Sequence, residues 1–344
     1  MNETMIYQEV STSFAAIDFS RLYGKSLLVT GATGLVGSYL METVRWLNTE
    51  KNADIQLYVV SHSGLPAHLC AFENDPHTTI LSADLTDVAS MESFPTVDFV
   101  IHAAGYAQPA KFTQNPDKTL RLNTTATFQL LEKVEKDGSF LFVSTSEVYS
   151  GLEKDRYTEQ DIGTTTPQHP RACYIEGKRC GEAFCMAART KGVDAKCARL
   201  SLAYGPGTRA DDRRVLSEFI RKALLNGQIG LMDSGSALRT YCYVTDAVEQ
   251  MWQILLHGTQ SVYNVGGHSS ISIAGLARMV GEALNVPVVI PPEDSSMGGA
   301  PKSVQLELNR VEEEFCKHDY VSMEDGLART IAWQKDNLYS AKMS

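Results

Sequence analysis

The chain reads as an α/β protein: a doubly wound parallel sheet carrying a smaller C-terminal α/β lobe. Three observations lead there. From Lys25 to Leu200, short apolar runs alternate with amphipathic helical stretches, as in a parallel sheet covered on both faces. Gly31, Gly34 and Gly37 sit between the first strand and the first long helix. After Tyr204-Gly205-Pro206-Gly207 the rhythm becomes irregular, with Pro and Gly clusters over 287–301, which marks the lobe.

The elements follow in order. Lys25–Thr30 (Lys-Ser-Leu-Leu-Val-Thr) is a short buried strand, and a helix runs from about Val36 to Leu47. Ile55–Val60 is a second strand. Thr79–Leu81, with Asp84, is a third that ends in a polar turn. Val97–His102 and Phe140–Ser144 are the fourth and fifth. Helical patterns lie between them, notably Pro116–Lys136. A helix over Tyr174–Lys191 and the strand Ala195–Leu200 come next. Arg239–Val244 and Tyr263–Val265 are expected to return to the main sheet. This divides the chain into an extension, 1–23, a sheet domain, 24–203 plus about 239–265, and a lobe, 204–238 and 266–344.

The sequence holds 344 residues, 43% hydrophobic and 21% charged, enough for a large core. A net charge of −10 argues against nonspecific nucleic-acid binding, which needs a basic footprint. A small anionic ligand stays possible, since a few arginines or a helix N-terminus can hold one. No apolar run approaches the roughly 20 residues needed to cross a bilayer. Met1 to Ser20 carries Glu3 and Glu9 and has no apolar segment of a secretory signal. Seven cysteines in no zinc-type pairing read as reduced thiols of a cytoplasmic protein. Cys173 and Cys180 flank Tyr174 and read as packing residues.

A glycine triplet alone is also what a plain tight turn shows. Between a strand and a helix it gains a function: the first glycine allows the turn and the second lets backbone approach a pyrophosphate. The third allows close helix packing, and the helix N-terminus attracts the anion. This is a Rossmann-like dinucleotide site. The second strand ends Val60-Ser61-His62-Ser63, with neither the acid that usually binds the ribose of NAD nor an adjacent Arg or Lys. NAD is favoured over NADP because nothing basic is present for a 2′-phosphate.

Tyr174 and Lys178 stand four residues apart and share a helix face. The lysine charge should favour the phenolate and make a base usable near neutral pH. Thr145 follows the fifth strand, where ligands of parallel sheets bind, and its hydroxyl can hydrogen-bond the reacting oxygen. The plain alternative is an amphipathic helix with a lysine reaching for water.

With these motifs in place, the chain from about Gly24 to Asn337 resembles the extended short-chain dehydrogenase/reductases acting on nucleotide sugars. Its motifs are most similar to those of UDP-glucuronate decarboxylases. The matching stretches are Asn115 to Thr124, Ser144 to Tyr149, Pro170 to Arg179, and Arg239 to Asp246. The resemblance implies NAD as cofactor, held by Gly31, Thr33, Gly34, Leu35, Val36, Gly37, Asp84, Leu85, Ala103, Ala104, Gly105, Asn123, Tyr174 and Lys178. For Asp84 a helix N-cap is the alternative. It implies a nucleotide sugar, with a UDP-sugar favoured, held by Pro109, Ser146, Arg214 and Arg239, with Arg214 facing the diphosphate. It implies Tyr174, Lys178, Thr145, Glu147 and Arg239 as catalytic residues, and no metal. A homodimer is implied through the helices around Pro116–Lys136 and Tyr174–Lys191, by way of Phe128, Leu131, Phe184 and Ala188.

Three departures stand out. Leu202 stands where the family commonly has asparagine, Ser150 stands where it has glycine, and the acid after the second strand is missing. By the resemblance, the shared first step is oxidation of the sugar C4 hydroxyl. Dehydratases then need an acid, and Ser146 occupies its position. A C4 ketone makes a C6 carboxylate a β-keto acid, which loses carbon dioxide readily. The alternatives are a 4-epimerase, a 4,6-dehydratase, or a non-catalytic dinucleotide sensor, although sensors usually lack the Tyr/Lys pair. Glu147 could also bond only backbone, and Arg239 only Asp246 or a phosphate.

Overall fold

The computed structural model describes residues 4–292 and 305–340. Part of the Pro and Gly cluster at 287–301 therefore lies outside the described residues. Helix α1 (Met5–Ser13) precedes strand β1 (Ser26–Thr30), helix α2 (Leu35–Lys51), β2 (Gln56–Ser61), β3 (Thr78–Ser82) and β4 (Val97–His102). Three short helices follow, α3 (Pro109–Gln114), α4 (Pro116–Asn123) and α5 (Thr125–Leu131), then β5 (Val134–Thr145), α6 (Ala172–Arg189), β6 (Asp194–Leu200) and β7 (Leu202–Tyr204). The remainder comprises α7 (Val215–Asn226), β8 (Ile229–Gly230), β9 (Leu238–Tyr243), α8 (Val244–His257), β10 (Val262–Val265), β11 (Ser269–Ser272), α9 (Ile273–Leu284), β12 (Val288–Val289), α10 (Asn309–Phe315) and α11 (Met323–Gln334).

Seven strands form one parallel sheet in the order β10-β6-β5-β4-β1-β2-β3. The strand order reverses between β1 and β4, which opens a crevice at their carboxyl ends. Leu27, Leu28, Val29, Val100 and Ile101 are fully buried there, as strands covered on both faces require.

The expected return of Arg239–Val244 to this sheet is not what forms. β9 pairs with β7 and β11 in a separate three-stranded sheet, while β10 joins the main sheet as expected. β6 and β7 are consecutive, and the break at Ser201 passes the chain from one sheet to the other. The helix expected over Pro116–Lys136 also divides. It breaks at Thr124 and ends at Leu131, and Val134–Lys136 already belong to β5.

The extension is part of the core. Thr4 caps α1 by accepting the Tyr7 N–H at 3.2 Å, and Ile6, Val10 and Phe14 are buried on one face. That face packs on α2 and α8. Glu9, buried with it, accepts hydrogen bonds from the Tyr39 hydroxyl and, at 2.6 Å, from the Tyr243 hydroxyl. One acid thus ties the extension to α2 and β9.

Candidate active site

The glycine loop is closed to side chains. Gly31 adopts φ +72°, and a Cβ there would lie 2.6 Å from the Ala103 carbonyl carbon. A Cβ at Gly37 would collide with the Gly31 carbonyl oxygen. Gly34 is the N-cap of α2, with no side chain capping it. Thr33, Leu35 and Val36 complete the loop and the first helical turn, so the positive end of α2 faces the crevice through bare backbone.

A hydrogen-bond chain fixes the facing loop. The Ala104 N–H donates to Thr30 Oγ1 at 3.2 Å, and the Thr30 hydroxyl lies 2.7 Å from His102 Nδ1. His102 Nε2 lies 2.9 Å from the Leu122 carbonyl, which can only accept, so Nε2 carries the proton and Nδ1 accepts. Burial, reinforced by the Lys178 charge, pushes the His102 pKa down to about 3, so the ring is neutral. Next to Leu122, Asn123 donates to the Thr119 carbonyl at 2.8 Å. Its Oδ1 is buried and has no hydrogen-bond partner among the described residues. A Cβ at Gly105 would lie 3.8 Å from both Asn123 Oδ1 and Lys178 Nζ. A bare-backbone cradle, a helix N-terminus, an orphan amide oxygen and an ammonium fit a dinucleotide with its ribose hydroxyls.

Asp84 closes a local turn and does not cap a helix, since the short helix Val88–Met91 that follows is capped by Asp87. Asp84 Oδ1 accepts the Thr86 N–H at 2.9 Å and the Thr86 hydroxyl at 2.8 Å, and these bonds hold its pKa below the ordinary value. Leu85 beside it is buried.

The candidate reacting groups gather at the end of β5. Thr145, its last residue, accepts the Glu147 N–H at 3.2 Å, so its own proton remains to donate to Tyr174, which lies within hydrogen-bonding reach. Ser146 opens the tight turn Ser146–Tyr149 that carries Glu147. The four-residue spacing does place Tyr174 and Lys178 in one buried patch of α6. Their electrostatics differ from expectation. Burial and the Glu147 charge raise the Tyr174 pKa to about 12, while the Thr145 hydrogen bond, Arg171 and Arg214 pull it down. Lys178 Nζ instead donates to the Val143 carbonyl at 2.7 Å and sits over the Phe142 ring. Burial lowers the Lys178 pKa to about 7. The lysine reaches strand β5 rather than the phenol, so in this state threonine and arginines favour the phenolate.

Glu147 accepts from Arg171 Nη2 at 2.6 Å, and burial raises its pKa against the pull of Arg171 and Arg239. It therefore does more than bond backbone. Arg239 lies on β9, where Nη1 donates to the Leu238 carbonyl at 2.7 Å, and burial lowers its pKa against the pull of Tyr241 and Glu147. Asp246 is taken by Lys317 at 2.9 Å and by the Val321 N–H at 3.0 Å, which removes it as the partner considered for Arg239. Arg214, at the N-terminus of α7, forks onto Asp212 with its shortest contact at 2.6 Å. Leu202 lies on β7, paired with Tyr241 of β9. Pro109 opens α3, whose Phe112 stacks on Tyr174 with ring centroids 4.6 Å apart and planes 5° apart. Sequence reasoning gave no role to Phe112 or Arg171. Arg171 lay in plain view three residues before Tyr174, whereas nothing in the sequence marks Phe112.

A tyrosine within reach of a threonine at the end of a parallel strand, beside a cradle for a dinucleotide, defines a hydride-transferring enzyme class. The chain belongs to the NAD dependent epimerase/dehydratase family, whose model matches residues 27–266. It is similar to UDP-glucuronic acid decarboxylase 1 of Xenopus tropicalis, 29% identical over 91% of this chain and 73% of that one. UDP-glucuronic acid decarboxylase 6 of Arabidopsis thaliana is 29% identical over 88% and 86%. A dTDP-glucose 4,6-dehydratase from Streptomyces venezuelae with NAD bound shares the fold, at TM-score 0.77 and 24% identity over 91% and 97% of the two chains. So does a UDP-glucuronic acid 4-epimerase from Bacillus cereus with UDP-glucuronic acid and NAD, at TM-score 0.75 and 22% identity over 90% and 99%.

Proposed function

We propose that this enzyme binds NAD and a UDP-sugar, oxidises the sugar C4 hydroxyl, and releases carbon dioxide from a UDP-glucuronate-like substrate. The observation that carries the reading is the meeting of Tyr174, Thr145 and Glu147 at the end of β5, with Arg239 within electrostatic reach. NAD, when bound, supplies the hydride acceptor. Gly31, Gly34 and Gly37 with Thr33, Leu35 and Val36 hold its pyrophosphate. Asp84 and Leu85 lie by the adenine, and Ala103 to Gly105, Asn123 and Lys178 hold the nicotinamide end. Tyr174 takes the C4 hydroxyl proton while Thr145 holds that oxygen. Pro109, Ser146 and Arg214 line the sugar nucleotide, Arg239 places the C6 carboxylate, and Glu147 assists ring distortion and proton return. Ser146 lacks the acid that departure of a C6 hydroxyl needs, which favours decarboxylation over dehydration.

Sequence similarity over most of the length of the decarboxylases supports the same reading. The test is substrate discrimination. Arg239→Ala should lower kcat/KM for UDP-glucuronate far more than for a neutral UDP-hexose, because a guanidinium grips a carboxylate through paired hydrogen bonds. Equal losses would assign Arg239 to the diphosphate instead.

Assembly as a homodimer belongs to the same proposal. Phe128 and Leu120 are exposed apolar residues on α5 and α4, and the Phe128 ring lies 5.6 Å from Phe184 of α6. Leu131, expected on that face, is buried in the monomer core instead. All seven cysteines are free, in keeping with a reducing cytoplasm. Among the described residues no helix is long and apolar enough to cross a membrane.

A further inference from the structure

Arg171 and Glu147 make an ion pair that is half used. One contact closes it, Nη2 to Oε1 at 2.6 Å, where an arginine and a carboxylate can form two. Glu147 Oε2 and Arg171 Nε are both shut off from solvent, and neither has a hydrogen-bond partner among the described residues. Leaving a buried polar atom unmatched is costly, more so when it is charged, so two in one pair are a standing cost. They are also a complementary pair, one acceptor and one donor, whose side chains both act electrostatically on Tyr174.

The pair is rigidly placed. Arg171 is the N-cap of α6, three residues before Tyr174. Its guanidinium lies over the Phe112 ring at 5.5 Å, and the other partner of that ring is Tyr174, stacked at 4.6 Å. Arginine, phenylalanine and tyrosine thus form one pile, which fixes the ion pair relative to the base. Glu147 is fixed from its other end by its N–H on Thr145.

We propose that Arg171 is a substrate-positioning residue, which holds Glu147 by one oxygen so that a ring hydroxyl of the sugar donates to Glu147 Oε2 and accepts from Arg171 Nε. A hydroxyl is the group that does both at once. A carboxylate only accepts, so Glu147 Oε2 would repel it. The pair therefore reads the part of the sugar common to uronic acids and neutral hexoses, and leaves the C6 substituent to Arg239. This inference rests on the proposed nucleotide-sugar activity.

The test is calorimetry on the NAD-loaded protein with UDP, UDP-glucose and UDP-glucuronate. For each sugar nucleotide, the gain in affinity over UDP isolates the sugar. In Arg171→Gln and in Arg171→Lys, which keeps the charge but loses the planar fork, that gain should fall about 5- to 30-fold for both sugars alike. Affinity for UDP itself should stay within about 2-fold of wild type. An unchanged sugar gain in either variant overturns the proposal, as does an equal loss of UDP affinity, which a merely structural role would produce. A loss confined to UDP-glucuronate would also overturn it, since that would make Arg171 a carboxylate ligand. Wild-type turnover of UDP-glucuronate is read separately, so failure of the decarboxylase reading is visible without any variant.

Discussion

Tyr174 carries the chemistry in this account. Tyr174→Phe removes the proton acceptor but keeps the ring stacked on Phe112, so NAD and UDP-sugar affinities should hold while turnover falls about 10²- to 10⁴-fold. Wild-type turnover by that variant in a stopped-flow assay would displace Tyr174 as the base. His102 makes a second prediction at this scale. Its folded pKa, about 3, lies below the ordinary 6.5, so between those values the unfolded chain takes up a proton that the folded one refuses. Its contribution is present above pH 6.5 and is lost as pH falls toward 3, by up to about 1.4 kcal/mol per pH unit. Urea midpoints at pH 7 and pH 5 should show a smaller drop for His102→Gln than for wild type; equal drops would mean that His102 is not the group. The Tyr/Lys spacing in the sequence marks Tyr174 as the proposed base. It did not announce where the lysine reaches, because Lys178 is drawn to the Val143 carbonyl, which comes from a strand distant in sequence.

At the scale of elements, the glycine loop and α2 make the proposed cofactor site. Gly34→Asp puts a negative charge at the N-terminus of α2, where an anion is to bind, and a Cβ there meets only the Gly31 oxygen at 3.2 Å. Dinucleotide affinity should fall steeply with the fold retained, and unchanged NAD affinity by calorimetry would remove the pyrophosphate from this loop. The strands of the main sheet were legible because buried parallel strands read as near-continuous apolar runs. The destination of β9 was not legible. Its Tyr241, Cys242 and Tyr243 are as buried as a main-sheet strand, and burial alone does not say which sheet a strand joins. The end of the helix at Leu131 was hidden too. Gly138 packs against the Asp98 carbonyl in the paired strand, a contact between β4 and β5 that periodicity cannot express.

The whole molecule is built around a core that includes the N-terminal extension, whose role was not legible in the sequence. Phe14 is fully buried, so Phe14→Ala should cost about 3–5 kcal/mol by chemical denaturation; a cost near zero would show that α1 is detachable. Phe128 belongs to the assembly. Phe128→Asp should shift a dimer toward monomer in light scattering without changing the melting temperature of the monomer, whereas wild type that is already monomeric would contradict the proposed assembly.

The most direct test of the central claim uses the intact enzyme. Purified protein is incubated with NAD and UDP-glucuronate, and the products are weighed by mass spectrometry. The account predicts a product that has lost carbon dioxide, lighter by that mass alone where the hydride and a proton return to C4 and by two further hydrogens where NADH is released, and Tyr174→Phe fails to form it. UDP-glucuronate recovered at unchanged mass, or a product that has lost water from a neutral UDP-hexose, would contradict it.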